Sequence, residues 1–264
     1  MDSQEQPRVL VTRSPHQSSE LATELRALGL EPVLVPAIEI APPSSFELLD
    51  AATADLASYD WLIFTSANAV EAFHRRLESA GLKAVMGMPR IAAIGPATAR
   101  ALEAIGFATD LVPPQAVAES LADALLTQVR RPDGSPTRFL LVRAEEARDV
   151  LPEALSAAGA EVTIAPAYRT VVPAASIDVI RDLFGGATTD VAAITFTSSS
   201  AARNLLALCE AAGVSLPASA LRVSIGPITS ETLRSLDYPP HAEALTAAVD
   251  ALAQAVREAV DARQ

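Results

Sequence analysis

Cysteine occurs once in this chain, at Cys209, so no disulfide can form within it. The fold must be held by its apolar core, and a reducing, cytoplasmic compartment is the expected setting. Cys209 lies in an apolar helical pattern and reads as a buried structural thiol. Aromatic residues are scarce, at 4%. The core must therefore be Leu, Val, Ile and Ala, which suits helices laid on parallel strands. The histidines, His16, His74 and His241, are scattered without metal-ligand spacing. His74 follows Phe73 in a helical stretch and reads as a surface residue. No apolar run approaches the ~18 residues of a membrane span. Residues 1–6 are polar and read as a disordered tail, not a signal peptide. Positive charge is outweighed: 20 Lys and Arg face 32 Asp and Glu, a formal net charge of −12. That balance disfavours nucleic acid and anionic membranes as partners, and an anionic ligand must be gripped by local donors against the field of the whole protein.

Familiar catalytic signatures are missing too. There is no G-x-G-x-x-G after a strand, no G-x-x-x-x-G-K-[ST] and no G-x-S-x-G. The sequence thus offers no dinucleotide fingerprint, P-loop, nucleophile elbow or metal set. An enzyme built this way works by shape and hydrogen bonding, on a substrate that carries much of its own reactivity.

What the chain does have is repetition. Half of its 264 residues are hydrophobic, enough for two packed α/β domains. The unit Ile94-Gly95-Pro96-Ala97-Thr98 returns as Ile225-Gly226-Pro227-Ile228-Thr229, and 226 − 95 = 131. Phe64-Thr65-Ser66 returns as Phe196-Thr197-Ser198, and Val11-Thr12-Arg13 as Leu141-Val142-Arg143. These are two diverged copies of one α/β unit.

In order, residues 9–12 predict a strand, 17–28 a helix with Leu21, Leu25 and Leu28 inward and Gly29 as C-terminal cap, and 31–36 a strand. The same pattern recurs at 139–142, 149–158 and 161–165; Pro152 is tolerated because it falls in the first helical turn. Residues 37–43 and 166–173 are extended, proline-flanked stretches and the best candidates for domain crossings, with helices after them at 45–57 and 176–184. Strands at 61–64 and 191–196 are apolar throughout, as buried parallel strands are. Each ends in a hydroxyl-rich turn before a helix, one with Val70, Phe73 and Leu77 inward, the other with Leu205, Leu206 and Cys209. A further strand is expected at 109–112, with a shorter counterpart near 238–240. Ala118-Glu119-Ser120-Leu121 and Ala242-Glu243-Ala244-Leu245 are each expected to open a helix. Their spacing, 243 − 119 = 124, implies that the connection before the second copy is several residues shorter. Residues 131–137 form a surface loop between the copies.

In open parallel sheets, ligands bind beyond the carboxyl ends of the strands. The polar groups delivered there are Arg13, Thr65, Ser66, Asn68, Gly95, Thr98, Arg143, Thr197, Ser198, Ser199, Gly226 and Thr229. Two such edges facing each other would enclose a cleft. Its hydroxyls and helix-start N–H groups would bind carboxylates or phosphates without net positive charge. Helix caps need the same residue types in any protein; here both copies keep the set. Gly95 and Gly226 serve either a ligand or simply a tight turn before proline. Arg13 and Arg143 either bind carboxylates or pair with nearby Glu or Asp. Tyr168, at the end of a strand and the start of a crossing, is either a proton donor or a packing aromatic.

The joint order Val-Thr-Arg, Ile-Phe-Thr-Ser-Ala-Asn, Ile-Gly-Pro-x-Thr, a central Tyr, Phe-Thr-Ser-Ser and a second Ile-Gly-Pro-x-Thr resembles the uroporphyrinogen-III synthase family, over residues 8–260. The resemblance implies two flavodoxin-like or Rossmann-like α/β domains with parallel sheets, joined by two extended crossings. Domain 1 would be 1–36 plus 172–264, and domain 2 would be 37–171. It implies a cytoplasmic monomer with no cofactor, no metal, no nucleic acid and no membrane partner. The implied reaction is cyclisation of hydroxymethylbilane, a linear tetrapyrrole, with inversion of ring D and loss of water. Tyr168 stands where the family keeps the tyrosine that assists hydroxyl departure. Ser66, Thr197 and Ser198 would bind acetate and propionate groups, helped by N–H groups at Asn68, Ser199 and Thr229. The rival readings are a non-catalytic two-domain binding protein for a small anion, a two-domain glycosyltransferase-like enzyme, and a purely structural duplication.

Overall fold

The computed structural model describes residues 6–12, 15–81, 89–186 and 188–263. Arg13 and the first five residues of the expected tail lie outside the described residues. The elements in chain order are β1 (Arg8–Val11), α1 (Pro15–Ala27), β2 (Glu31–Leu34), β3 (Glu39–Ala41), α2 (Glu47–Ala54), β4 (Trp61–Phe64), α3 (Ala67–Ser79), β5 (Arg90–Ala93), α4 (Pro96–Ala104), α5 (Ala118–Leu125), β6 (Arg138–Ala144), α6 (Val150–Ala157) and β7 (Glu161–Val171). Then follow α7 (Ala174–Phe184), β8 (Val191–Phe196), α8 (Ser199–Ala212), β9 (Leu221–Ser224), α9 (Pro227–Ser235), β10 (Ala242–Glu243) and α10 (Val249–Asp261). Short 3₁₀ turns cover Leu56–Ser58 and Leu126–Gln128.

The chain forms two units, Met1–Glu39 with Val171–Gln264, and Ile40–Thr170. The first holds a sheet ordered β2-β1-β8-β9-β10, and the second one ordered β3-β7-β6-β4-β5. Paired copy to copy, β2-β1-β8-β9 corresponds to β7-β6-β4-β5. Neighbours β1 and β2, β1 and β8, β8 and β9, and β9 and β10 are parallel. So are β4 with β5, β4 with β6, and β6 with β7. The first sheet has the flavodoxin-like order 2-1-3-4-5, the fold class expected from the sequence, and the second shares its 2-1-3-4 part with β3 added outside β7. In the second unit the chain runs through it from the third strand, so the first two strands come last.

Each sheet has an apolar cluster on both faces. In the second unit, one face packs Leu49, Leu62, Phe64, Val70, Phe73, Leu102, Leu140 and Val142. The other packs Trp61, Ile63, Leu121, Leu125, Phe139, Leu141, Leu151 and Leu155. Alternation along β4 explains the split: Leu62 and Phe64 go to one face, Trp61 and Ile63 to the other. In the first unit Leu10, Ile194, Phe196 and Leu205 pack on one face, and Val9, Val11, Leu21, Leu25, Val223 and Val256 on the other. The turns that close α1 and α6 need left-handed backbone, which Gly29 (φ 74°) and Gly159 (φ 90°) supply without a Cβ penalty. Among the described residues no helix is long and apolar enough to cross a membrane.

Several sequence expectations need correction. The strand at 109–112 reduces to a single parallel bridge from Ala92 to Leu111. Pro113 and Pro114 follow it and have no N–H to donate, so pairing stops. The counterpart is not at 238–240, where Pro239 and Pro240 impose the same limit, but at β10. Residues 242–245 therefore do not open a helix. Ala242 pairs with Val223 and Glu243 with Ser224, and the helix starts only at Val249. The copies stay in step to the end: 242 − 111 = 131 and 249 − 118 = 131. The likeness of Ala-Glu-Ser-Leu to Ala-Glu-Ala-Leu is a coincidence of composition. On α8 the inward positions are Leu205, Leu208 and Cys209, with Leu206 only half-buried, because 205, 208 and 209 share a helical face. The stretches 37–43 and 166–173 are extended as expected and contain the two unit boundaries, with strand pairing taking up part of each. Residues 166–171 prolong β7, which runs for 11 residues, and 39–41 form its edge neighbour β3.

Candidate active site

The strand tips are built by helix capping. β4 ends at Phe64, and Ser66 turns out of it in extended conformation to cap α3, its Oγ accepting the N–H of Ala69 at 3.1 Å. β8 ends at Phe196, and Ser198 does the same for α8, accepting the N–H of Ala201 at 3.0 Å. Each cap is worth about 1 kcal/mol. Gly95 and Gly226 cap α4 and α9, each followed by proline at the first helical position. After these caps the first helical N–H groups have no carbonyl of their own helix to bond. Those groups belong to Ala67 and Asn68, Ser199 and Ser200, Ala97 and Thr98, and Ile228 and Thr229. Each set carries the positive end of a helix dipole.

Tyr168 is placed by an irregularity in β7. Arg143 of β6 pairs with Pro166, but Ala144 pairs with Tyr168, so Ala167 is an extra residue in the ladder. The bulge lets Ala167 and Tyr168 both pack against the Phe64 cluster, which strict alternation forbids. Beyond the bulge the Glu145 N–H donates to the Tyr168 carbonyl at 2.8 Å. The half-buried phenol oxygen then lies 3.0 Å from Ser66 Oγ. Tyr168 also lines a cavity of about 340 Å³ with Thr65, Ala118, Arg143, Arg148 and Thr170, wholly within the second unit.

The other candidate residues separate into groups. Thr65, Thr197 and Ser198 are half-buried and Asn68 is exposed, so their polar atoms stand at the strand-tip surface. Thr98 and Thr229 are buried on the inner side of the first turns of α4 and α9, which leaves only their N–H groups in question. Arg143 is 7% exposed and is committed to its own loop. Its guanidinium donates to the Arg148 carbonyl at 3.0 Å and pairs with Asp149 at 2.6 Å. Ser199 Oγ lies 2.7 Å from Thr232 Oγ1 and ties α8 to α9. Gly95 is required by packing: a Cβ there would sit 2.6 Å from Ala116 Cβ, while at Gly226 the equivalent contact, to Ala247, is 3.9 Å. Arg13 lies outside the described residues.

A scan against family models matches residues 19–254 to the uroporphyrinogen-III synthase HemD family. The chain belongs to the uroporphyrinogen-III synthase family. Among its relatives in this family, the uroporphyrinogen-III synthase of Synechococcus elongatus is 38% identical over 256 residues, 95% of this chain and 94% of that one. A putative uroporphyrinogen-III synthase of Methanothermobacter thermautotrophicus is 33% identical, over 86% of this chain and 87% of that one. In fold, a mutant uroporphyrinogen III synthase of Thermus thermophilus superposes with a TM-score of 0.63 at 21% identity, covering 97% of this chain and 99% of that one. Uroporphyrinogen-III synthase folds thus share the two α/β units described above, and membership implies a lyase of tetrapyrrole biosynthesis.

One signal within the repeat passes unused at the sequence level. Pro36-Ala37-Ile38 after β2 matches Pro166-Ala167-Tyr168 in β7, at a spacing of 168 − 38 = 130. Tyrosine replaces isoleucine in one copy only. At this position the two copies, alike in fold, differ by a hydroxyl-bearing ring.

Proposed function

We propose that this chain is a uroporphyrinogen-III synthase, closing hydroxymethylbilane to uroporphyrinogen III with inversion of ring D. The observation that carries the reading is the match to the Synechococcus elongatus enzyme across 95% of the chain. The cavity-lining phenol of Tyr168 supports it independently. The pyrrole nitrogen expels the terminal hydroxyl and leaves an azafulvene cation. Tyr168 gives its proton to the departing oxygen, which leaves as water. The substituted carbon of ring D attacks the cation, forming a spiro intermediate that fragments and recloses. Rearomatisation releases a proton that restores the phenol.

The protein's task is to hold the reacting carbons so that the spiro route outruns direct closure. The substrate is a polyanion and the protein carries −12. Acetate and propionate groups are held in the second unit by Thr65, Asn68 and the free N–H groups of the first turns of α3 and α4, which act in spite of that charge.

The test supplies freshly made hydroxymethylbilane and separates the type I and type III isomers by chromatography. Type III in excess is expected. Type I alone, with saturable binding of the bilane, would replace the reading with a non-catalytic binding protein. Tyr168→Phe is expected to slow turnover about a hundredfold without abolishing it, the low end of what a single acid–base group supplies. A loss below about twofold would remove Tyr168 from the mechanism.

A further inference from the structure

We propose that Ser66 is a positioning residue for Tyr168, donating its hydroxyl proton to the phenol oxygen so that the phenol proton stays free for the leaving group. This deepens the function proposed above and rests on it. A serine hydroxyl has one proton and two lone pairs. The Ala69 N–H takes one lone pair, and the helix cap holds Oγ in place. The Oγ–Oη separation of 3.0 Å admits either direction of donation. Only donation by Ser66 leaves the phenol proton unengaged and available to the leaving group. It also stabilises the phenolate that remains after transfer, at the moment when charge develops there.

The duplication argues that the contact is not needed for folding. Ser198 caps α8 in the same geometry as Ser66 caps α3. Yet the residue equivalent to Tyr168 in that copy is Ile38, which has no hydrogen bond to offer. The twin turn forms without a phenol, and there the Ser198 Oγ lies 3.0 Å from Ser200 Oγ instead. The bulge at Ala167 is what brings Tyr168 within reach of Ser66.

The proposal separates from a merely structural role of Ser66 by choice of variant. Glycine is nearly as good an N-cap as serine, so Ser66→Gly removes the hydroxyl and leaves α3 capped. The expected result is a kcat lower by about tenfold with KM unchanged, since only the transition state uses the bond. Ser66→Thr restores most of the rate. In a Tyr168→Phe background, Ser66→Gly adds nothing. A raised KM, or a loss that persists in the Tyr168→Phe background, would mean that Ser66 touches substrate itself and would overturn the proposal. A second readout does not depend on turnover. The near-ultraviolet band of Tyr168 is isolated by subtracting the spectrum of the matching Tyr168→Phe protein. It should move to longer wavelength in Ser66→Gly, because a phenol that accepts a hydrogen bond absorbs at shorter wavelength. A shift the other way, or none, overturns the assignment of donor. If the unaltered protein makes no type III isomer, the function reading fails while this spectrum still decides the bond.

Discussion

Gly95 and Gly226 stand in equivalent turns, both in extended conformation, yet they have different room around them. A Cβ on Gly95 would press on Ala116, and one on Gly226 would meet Ala247 at an ordinary distance. Gly95→Ala is therefore expected to lose about 1–3 kcal/mol more stability than Gly226→Ala, the cost of overpacking. Urea unfolding of the two variants measures it, and the cap preference for glycine cancels because both sites are N-caps. Cys209 gives a second prediction. Burial pushes its thiol up to about 12, so at neutral pH it is a protonated, enclosed group. It should resist a thiol-modifying disulfide reagent in the folded protein and react promptly in urea. Both residues were visible in the sequence, but only one reading could be specific. An apolar helical pattern announces a buried cysteine, whereas nothing in Ile-Gly-Pro announces that Ala116 lies against the glycine.

The elements carry their own tests. β10 joins the sheet edge through the His241 N–H, which donates to the Arg222 carbonyl at 2.8 Å, and through His241 Nδ1, which accepts the Arg222 N–H at 3.0 Å. Burial, then the charges of Arg222 and Arg263, hold the imidazole below its ordinary value of 6.5. A depressed folded value means stability that is whole above the unfolded value and is lost as pH falls towards the folded one. Melting temperature should therefore drop as pH falls below about 6.5, and drop less in His241→Gln. Equal slopes in the two proteins would discharge His241 from this role. Beside it, Ser224 and Ser230 are buried 2.6 Å apart, with Ser230 bonded to Glu243. The equivalent positions in the other copy, Ala93, Ala99 and Val112, are apolar. Periodicity and capping residues made most helices and the central strands readable. The outer positions were less readable: at 109–112 the following prolines cut an expected strand to one bridge, and at β10 a chance similarity of four residues masked a pairing that only the neighbouring strand could supply.

At the scale of the molecule, each apolar cluster among the described residues is made from residues of one unit alone. A fragment of residues 40–170 has both faces of its sheet covered by its own helices, and it should fold and melt cooperatively on its own. A fragment that stays unfolded by circular dichroism would show that the cores are not self-sufficient. The first unit is made of two chain segments, so it needs the ends of the second to return the chain to it.

Composition, the 131-residue repeat and the run of polar strand ends were enough to determine a duplicated α/β chain, and the joint order of motifs carried the resemblance to the family, because both depend on local pattern and not on contacts. The partners of single side chains at the tips were decided elsewhere. Arg143 turned to its own loop, Ser199 to α9, and Thr98 and Thr229 inward, while a one-residue bulge in β7 carried Tyr168 to Ser66. Which partner a polar side chain takes is set by what lies beside it in space, and residues 66 and 168 meet only after a sheet has been assembled between them.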